Sequence, residues 1–172
     1  MNEKLTVLFT QEEVKQTIDR LASEIKKDYK DKKPLLICIL KGSFIFTADL
    51  IRQINMPLEV DFVKLSSYGP NKTTSGKVKM IQGLNTPIKG RDVLVVEDII
   101  DTGLTISALL DYLGKKKPAS LKLCALADKP SRRNVPVTID YLGFTVPDKF
   151  IIGYGIDWDE KFRYLPNICY IN

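Results

Sequence analysis

The chain has 172 residues, 44% of them apolar, and 26 Lys and Arg against 21 Asp and Glu give it a net charge of +5 with no histidine at all. That length suits one domain, residues 1–172, burying roughly 70% of the surface of its unfolded form, and the lack of histidine excludes His-dependent triads and His-ligated metal sites, leaving proton transfer to Asp, Glu, Lys, Tyr or a substrate. The dispersed positive excess suits a polyanionic small molecule and makes no case for nucleic acid; no signal peptide or membrane-length apolar run is present, and Cys38, Cys124 and Cys169, each within an apolar run, read as reduced core residues of a cytoplasmic protein.

Thr10 followed by Glu13 is a capping-box pattern, and Val14, Ile18, Leu21 and Ile25 form an apolar stripe, so a packing helix is predicted over residues 10–29. After the turn Asp31-Lys32-Lys33-Pro34, Leu35 to Leu40 reads as a central strand. Lys41-Gly42-Ser43 closes that strand and leads into a second helix carrying Phe44, Ala48, Leu50 and Ile51. A glycine after a cation fits a plain tight turn as well as an anion-binding one. Met56-Pro57 ends the helix, and Leu58 to Leu65 alternates Leu58, Val60 and Phe62 with a more polar face of Glu59, Asp61 and Val63. Ser66 to Gly76 is small, polar and broken by Gly and Pro, the composition of a hairpin connection or of a mobile lid. Val78 to Ile81 is the expected returning strand.

The organising stretch is DVLVVEDIIDTGLTISALLDYL, residues 92–113. Val93 to Val96 lacks alternation, as a strand buried on both faces of a parallel sheet does. Glu97 and Asp98 end the run where open α/β sheets place their ligands. The turn Asp101-Thr102-Gly103-Leu104-Thr105 then opens a helix over 104–116, whose Ile106, Leu109, Leu110 and Leu113 have helical spacing. Unpaired N–H groups at the start of that helix make the turn a ready phosphate site, where Gly103 permits close approach and Thr102 and Thr105 add hydroxyl donors. The acidic pair repels phosphate, so ribose hydroxyls or a hydrated Mg²⁺ suit it better. An ordinary strand-to-helix corner with Asp101 or Thr102 as N-cap is the plainer alternative for the turn. With no GxxxxGK[ST] and no GxGxxG in the chain, neither a Walker-type nor a dinucleotide-binding site is supported.

Lys115-Lys116-Lys117-Pro118 is a solvated helix end. Leu121 to Ala127 is another buried strand ending in Asp128-Lys129-Pro130, a position from which Lys129 either faces the same crevice as the acidic pair or is a solvated turn lysine. Val137 to Phe144 and the closing segment Asn167 to Ile171 are the remaining expected strands, separated by the turn Val146-Pro147-Asp148 and by KFIIGYGID, residues 149–157. Taken alone, Phe150 in that string reads as core.

VLVVEDIIDTGLT closely resembles the signature of the type I phosphoribosyltransferases for 5-phosphoribosyl pyrophosphate (PRPP), and residues 149–157 resemble the base-binding segment of the hypoxanthine-guanine members. The likeness runs from the helix at 10–29 to the last strand. It implies an α/β fold, a mostly parallel sheet flanked by helices with a small hood from the N- and C-terminal segments. The implied reaction is purine salvage: Mg²⁺-dependent transfer of 5-phosphoribosyl from PRPP to N9 of hypoxanthine, and of guanine, giving IMP or GMP and pyrophosphate. By the same resemblance Lys41, Gly42 and Arg163 bind pyrophosphate, and the Lys41–Gly42 peptide bond is a candidate for the cis form. Thr102, Gly103, Leu104 and Thr105 hold phosphate; Glu97, Asp98 and Asp157 serve ribose or metal; Asp101 exchanges a proton with the base; Lys129, Phe150, Ile151 and Asp157 bind the base. Ser67 and Tyr68 begin the flexible loop, which favours the lid. Trp158 stands where the family often has Tyr. The resemblance further implies a homodimer or homotetramer acting on small molecules, with no nucleic acid or membrane partner. PRPP-sensing regulators share this fold, but are expected to show an altered signature, an added DNA-binding domain or a concentrated basic face.

Overall fold

The computed structural model describes residues 5–66 and 79–171. Its elements are β1 (Leu5–Phe9), α1 (Gln11–Asp28), β2 (Leu35–Leu40), α2 (Phe44–Ile54), β3 (Glu59–Ser66), β4 (Lys79–Gln82), β5 (Asp92–Ile100), α3 (Leu104–Gly114), β6 (Ser120–Asp128), a 3₁₀ turn at Pro130–Arg132, β7 (Tyr141–Thr145), β8 (Phe150–Ile152) and β9 (Ile168–Ile171). Ser67 and Tyr68, and with them most of the proposed lid, lie outside the described residues.

Six strands form the main sheet in the order β4-β3-β2-β5-β6-β7, all parallel except β4, which runs antiparallel to β3. The uninterrupted apolar runs of β2 and β5 are explained by burial on both faces. Leu35, Ile37, Val93 and Val95 pack with Ile106, Leu109 and Leu113 of α3, while Leu36, Leu94 and Val96 pack with Leu21 and Ile25 of α1 and with Phe46 and Leu50 of α2. The capping box forms as expected: Thr10 Oγ1 accepts from the N–H of Glu13, whose carboxylate accepts from that of Thr10. A separate antiparallel sheet, β1-β9-β8, joins the two ends of the chain into the expected hood. All three cysteines are buried and unbridged.

Two expectations are overturned. In β3 the buried face carries Asp61 and Val63, whereas Phe62 is exposed, the reverse of what alternation suggests. Burial raises the proton affinity of Asp61, yet accepted backbone hydrogen bonds from Phe62, Asn85 and Thr86, at 2.7, 2.9 and 2.8 Å, outweigh it and hold the carboxyl below its usual range. A fully hydrogen-bonded carboxylate thereby takes an apparently apolar position and pins the connection after β4. Residues 137–140, expected to be strand, are irregular, because the preceding segment braces the turn before α3: the N–H groups of Asn134 and Val135 donate to the carbonyl of Thr102 at 2.9 and 3.3 Å.

Strand order reverses between β2 and β5, the place where such sheets open a ligand crevice. Pairing of β5 with β2 stops at Val96↔Cys38, but pairing with β6 continues to Ile100↔Asp128. The expected strand of four residues is therefore nine, and Glu97 and Asp98 lie within it, on a stretch that has lost its β2 neighbour.

Candidate active site

Lys41 and Gly42 form the turn that leaves β2, and they lie against the unpaired edge of β5. A Cβ on Gly42 would fall 1.6 Å from Asp98 Oδ2; here glycine is required by space. On the other side, a Cβ on Gly155 would come within 2.9 Å of the Gly42 carbonyl oxygen, and Gly155 has φ +89°. Thus the Gly42 backbone is sandwiched between the acidic pair and the turn that follows β8. The cis peptide bond of this turn joins Leu40 to Lys41, one residue earlier than the resemblance suggested.

The acidic pair is poorly solvated. Burial first, then the neighbouring charge of Asp98 and a hydrogen bond with it, raises the pKa of Glu97 well above the ordinary carboxyl range. Burial likewise pushes Asp98 up to about 6, opposed by the hydrogen bond from the N–H of Ile99 at 2.8 Å and by the charge of Arg163. Glu97 Oε2 is buried without a hydrogen-bond partner. Hard anionic oxygens short of partners suit Mg²⁺ chemically. No group of three His, Cys, Asp or Glu side chains is gathered closely enough among the described residues to hold an ion, so water and substrate oxygens would have to complete its shell.

Beyond β5, neither Asp101 nor Thr102 is the N-cap. Gly103 takes that position with φ +82° and supplies no side-chain cap. A side chain there would meet Arg133, Val135 and Val137 at 2.9–3.0 Å. Leu104 N–H has only a long contact, 3.4 Å, to Thr102 Oγ1, so the positive end of α3 is open to an anion at Leu104 and Thr105. Asp101 Oδ1 faces Arg132 Nε at 3.2 Å, and Arg133 Nε donates to the Asp101 carbonyl at 3.2 Å. Neither arginine was singled out in the sequence; their only signal was adjacency to Lys129-Pro130. Lys129 follows β6 and is 7% exposed. Its N–H donates to the Ile100 carbonyl at 2.9 Å, which places it next to the Asp101 turn. Among the described residues no carboxylate pairs with its ammonium.

The hood supplies the rest. Phe150 is 53% exposed, contrary to its reading as core, and meets Trp158 edge-on with centroids 5.9 Å apart. Trp158 in turn stacks on Phe162. Ile151 is buried in the core cluster, which leaves only its backbone for a ligand. Arg163 donates to the Gly155 carbonyl at 2.8 Å and pairs with Asp157 Oδ1 at 2.7 Å. Glu160, like Arg132 and Arg133 not singled out in the sequence, has Oε1 2.6 Å from Lys41 Nζ and Oε2 3.4 Å from Arg163. The bond from Lys41, with a smaller share from Arg163, holds its carboxyl below the ordinary range. A cavity of about 660 Å³ between α1 and α2, lined by Val14, Ile18, Asp49, Arg52 and Tyr154 among others, contains none of these groups.

Residues 6–159 match the family profile "Phosphoribosyl transferase domain", and the chain belongs to that family. Within it, the chain is 46% identical over 162 residues to the hypoxanthine-guanine phosphoribosyltransferase of Bacillus subtilis, covering 94% of this chain and 90% of that protein. It is 44% identical over 170 residues to the hypoxanthine phosphoribosyltransferase of Salmonella typhimurium, at 98% and 96% coverage. The crystal structure of a Bacillus anthracis hypoxanthine-guanine phosphoribosyltransferase superposes with a TM-score of 0.94 at 45% identity, over 99% of this chain and all of that one.

Two outcomes follow from this geometry. Gly42→Ala cannot keep both the turn and Asp98 in place, so activity should drop at least a hundredfold; a variant with parental activity would show that the contact is not needed. Glu97 and Asp98 hold their protons to higher pH folded than unfolded, where their pKa values are about 4.3 and 3.9. Their protonation therefore stabilises the fold at low pH, and that stability is lost as pH rises through about 6, the Asp98 value. Glu97→Gln should raise the thermal midpoint at pH 8 and do so less at pH 5; calorimetry showing an equal gain at both would refute the assigned desolvation.

Proposed function

We propose that residues 1–172 form one phosphoribosyltransferase domain of purine salvage, which transfers the 5-phosphoribosyl group of PRPP to N9 of hypoxanthine, and of guanine, to give IMP or GMP and pyrophosphate. The observation that carries this reading is the convergence on one crevice, at the β2/β5 switch point, of the Gly42 backbone, the Glu97–Asp98 pair and the uncapped start of α3. PRPP presents a phosphate, ribose hydroxyls and a diphosphate, three chemistries that these groups separately suit.

In this reading the 5-phosphate sits on the N–H groups of Gly103, Leu104 and Thr105 with the hydroxyls of Thr102 and Thr105. Glu97 and Asp98 accept from the ribose hydroxyls. Lys41, the Gly42 backbone and Arg163 bind the diphosphate. As the bond from ribose C1 to diphosphate oxygen breaks and that from C1 to N9 forms, positive charge grows on the sugar and negative charge on the leaving group. The carboxylates Glu97, Asp98 and Asp157 are those that would hold Mg²⁺, which when bound neutralises charge on the leaving group. The proton lost by the base passes to Asp101, beside N7, whose side chain is 44% exposed in the crevice although its Oδ1 is enclosed against Arg132. Phe150 stacks on the purine, Lys129 donates to its C6 oxygen, and backbone carbonyls at Ile151 and Asp157 face the 2-position.

No helix among the described residues is long and apolar enough to cross a membrane. The reading includes a cytoplasmic setting and a homodimer or homotetramer. Supporting it is likeness to the Trypanosoma cruzi hypoxanthine phosphoribosyl transferase, at 41% identity and a TM-score of 0.93, whose structural description concerns the effect of its C-terminal region on oligomeric state.

Pyrophosphate release from PRPP and Mg²⁺, assayed with hypoxanthine, guanine, xanthine and adenine in turn, tests the assignment. Hypoxanthine should react and adenine should not, because an amino group at C6 leaves the donors of Lys129 unsatisfied at a cost of about 1–3 kcal/mol. Lys129→Gln should narrow the preference about tenfold or more; unchanged discrimination would move the reading of C6 to another group. Asp101→Asn keeps shape but removes the base, so kcat should fall about a hundredfold or more while PRPP binding by calorimetry persists. Parental turnover in that variant would reduce Asp101 to a structural residue.

A further inference from the structure

We infer that Glu160 is an internal surrogate for the diphosphate of PRPP: its carboxylate holds Lys41 and Arg163 together in the ligand-free protein, and the substrate binds by displacing it. This rests on the assignment of those two cations to diphosphate. The two belong to different parts of the molecule, Lys41 to the turn after β2 and Arg163 to the segment before β9. Glu160 spans them with one oxygen on each, at 2.6 and 3.4 Å, as two oxygens of a diphosphate would.

The cations depend on Glu160 unequally. Arg163 keeps Asp157 at 2.7 Å and the Gly155 carbonyl at 2.8 Å, and its side chain is only 17% exposed, so its guanidinium stays aimed without Glu160. Lys41 has no other ion-pair partner among the described residues, and its side chain is half exposed. Glu160 itself is 63% exposed and can turn into solvent without opening the core. Its position is built into the backbone: Asp159 and Glu160 both have positive φ, 52° and 60°, and the Glu160 N–H donates to Asp157 Oδ2 at 2.9 Å. The turn that carries the carboxylate is thus hydrogen-bonded to the same aspartate that holds Arg163.

A displaced anion lowers the apparent affinity for the anion that replaces it. Ion pairs this exposed are individually weak, so displacement is easy and the effect modest. It limits diphosphate retention after reaction while leaving Lys41 neutralised when the site is empty. A different role, a latch that positions both cations for substrate, predicts the opposite sign.

The test is calorimetric binding of Mg²⁺-diphosphate, with KM for PRPP and for hypoxanthine, in the full chain carrying Glu160→Gln and Glu160→Ala. Both variants should bind diphosphate about two- to fivefold more tightly, with KM for PRPP lowered and KM for hypoxanthine unchanged, and the gain should shrink at 0.5 M salt as screening weakens the competing pair. Equal or weaker diphosphate binding in both variants overturns the inference. Lys41→Ala and Arg163→Lys separate this failure from the broader one. If they weaken diphosphate binding while the Glu160 variants match the parent, only the surrogate role is lost; if neither changes it, the cations do not serve diphosphate and the functional assignment itself fails at that point.

Discussion

The contact between the Gly42 backbone and the Asp98 carboxylate is the constraint around which the site is arranged. It arises because β5 outruns β2: the last pair is Val96↔Cys38, after which the β2 chain turns aside at Lys41. The vacated edge is filled by that turn, closely enough that a single methyl group would collide with Asp98. Packing of this kind tolerates no small adjustment, since a displaced turn would carry Lys41 with it. The hood is drawn into the same arrangement through Gly155, whose missing side chain lets it approach the Gly42 carbonyl.

The cost of the arrangement falls on electrostatics. Two carboxylates are held side by side, one of them with a buried oxygen that has no partner, and burial opposes the charge of both. A fold selected for stability alone gains nothing from such a pair. Contrast Asp61, only 5% exposed but satisfied by backbone N–H groups that hold its carboxyl below the usual range. The difference marks Asp61 as a structural clamp and is what the proposed ligand role of the acidic pair rests on. Opposite charge is held near them by Arg163, and its own network with Asp157 and Glu160 keeps the positive side of the crevice balanced.

Local rules were legible where a neighbour in sequence supplies the partner. The capping box at Thr10 and Glu13 and the stripe of α1 involve residues three or four apart, and both form as read. The apolar strands were equally readable because burial on both faces leaves a composition rather than an alternation. Rules failed where the partner is distant. Alternation in β3 assigned Phe62 inward, but Asp61 is drawn there by N–H groups more than twenty residues away, at Asn85 and Thr86. A cap at Asp101 or Thr102 was displaced by Gly103, because the segment around Asn134 to Val137 fixes the turn from outside.

By itself the sequence determined the strand-turn-helix unit at 92–113 and the placement of acidic, hydroxyl and glycine residues along it, since these depend on residue type and short spacing, whereas Lys129, Phe150 and Arg163 were marked out only by resemblance to the family. Only the tertiary structure decided which of them meet. It set Lys41 beside Glu160, 119 residues apart, exposed Phe150 while burying Ile151, and brought Arg132 to Asp101. Those juxtapositions come from strand order and from closure of the hood by the two chain ends, and no periodicity within a segment encodes where another segment will lie.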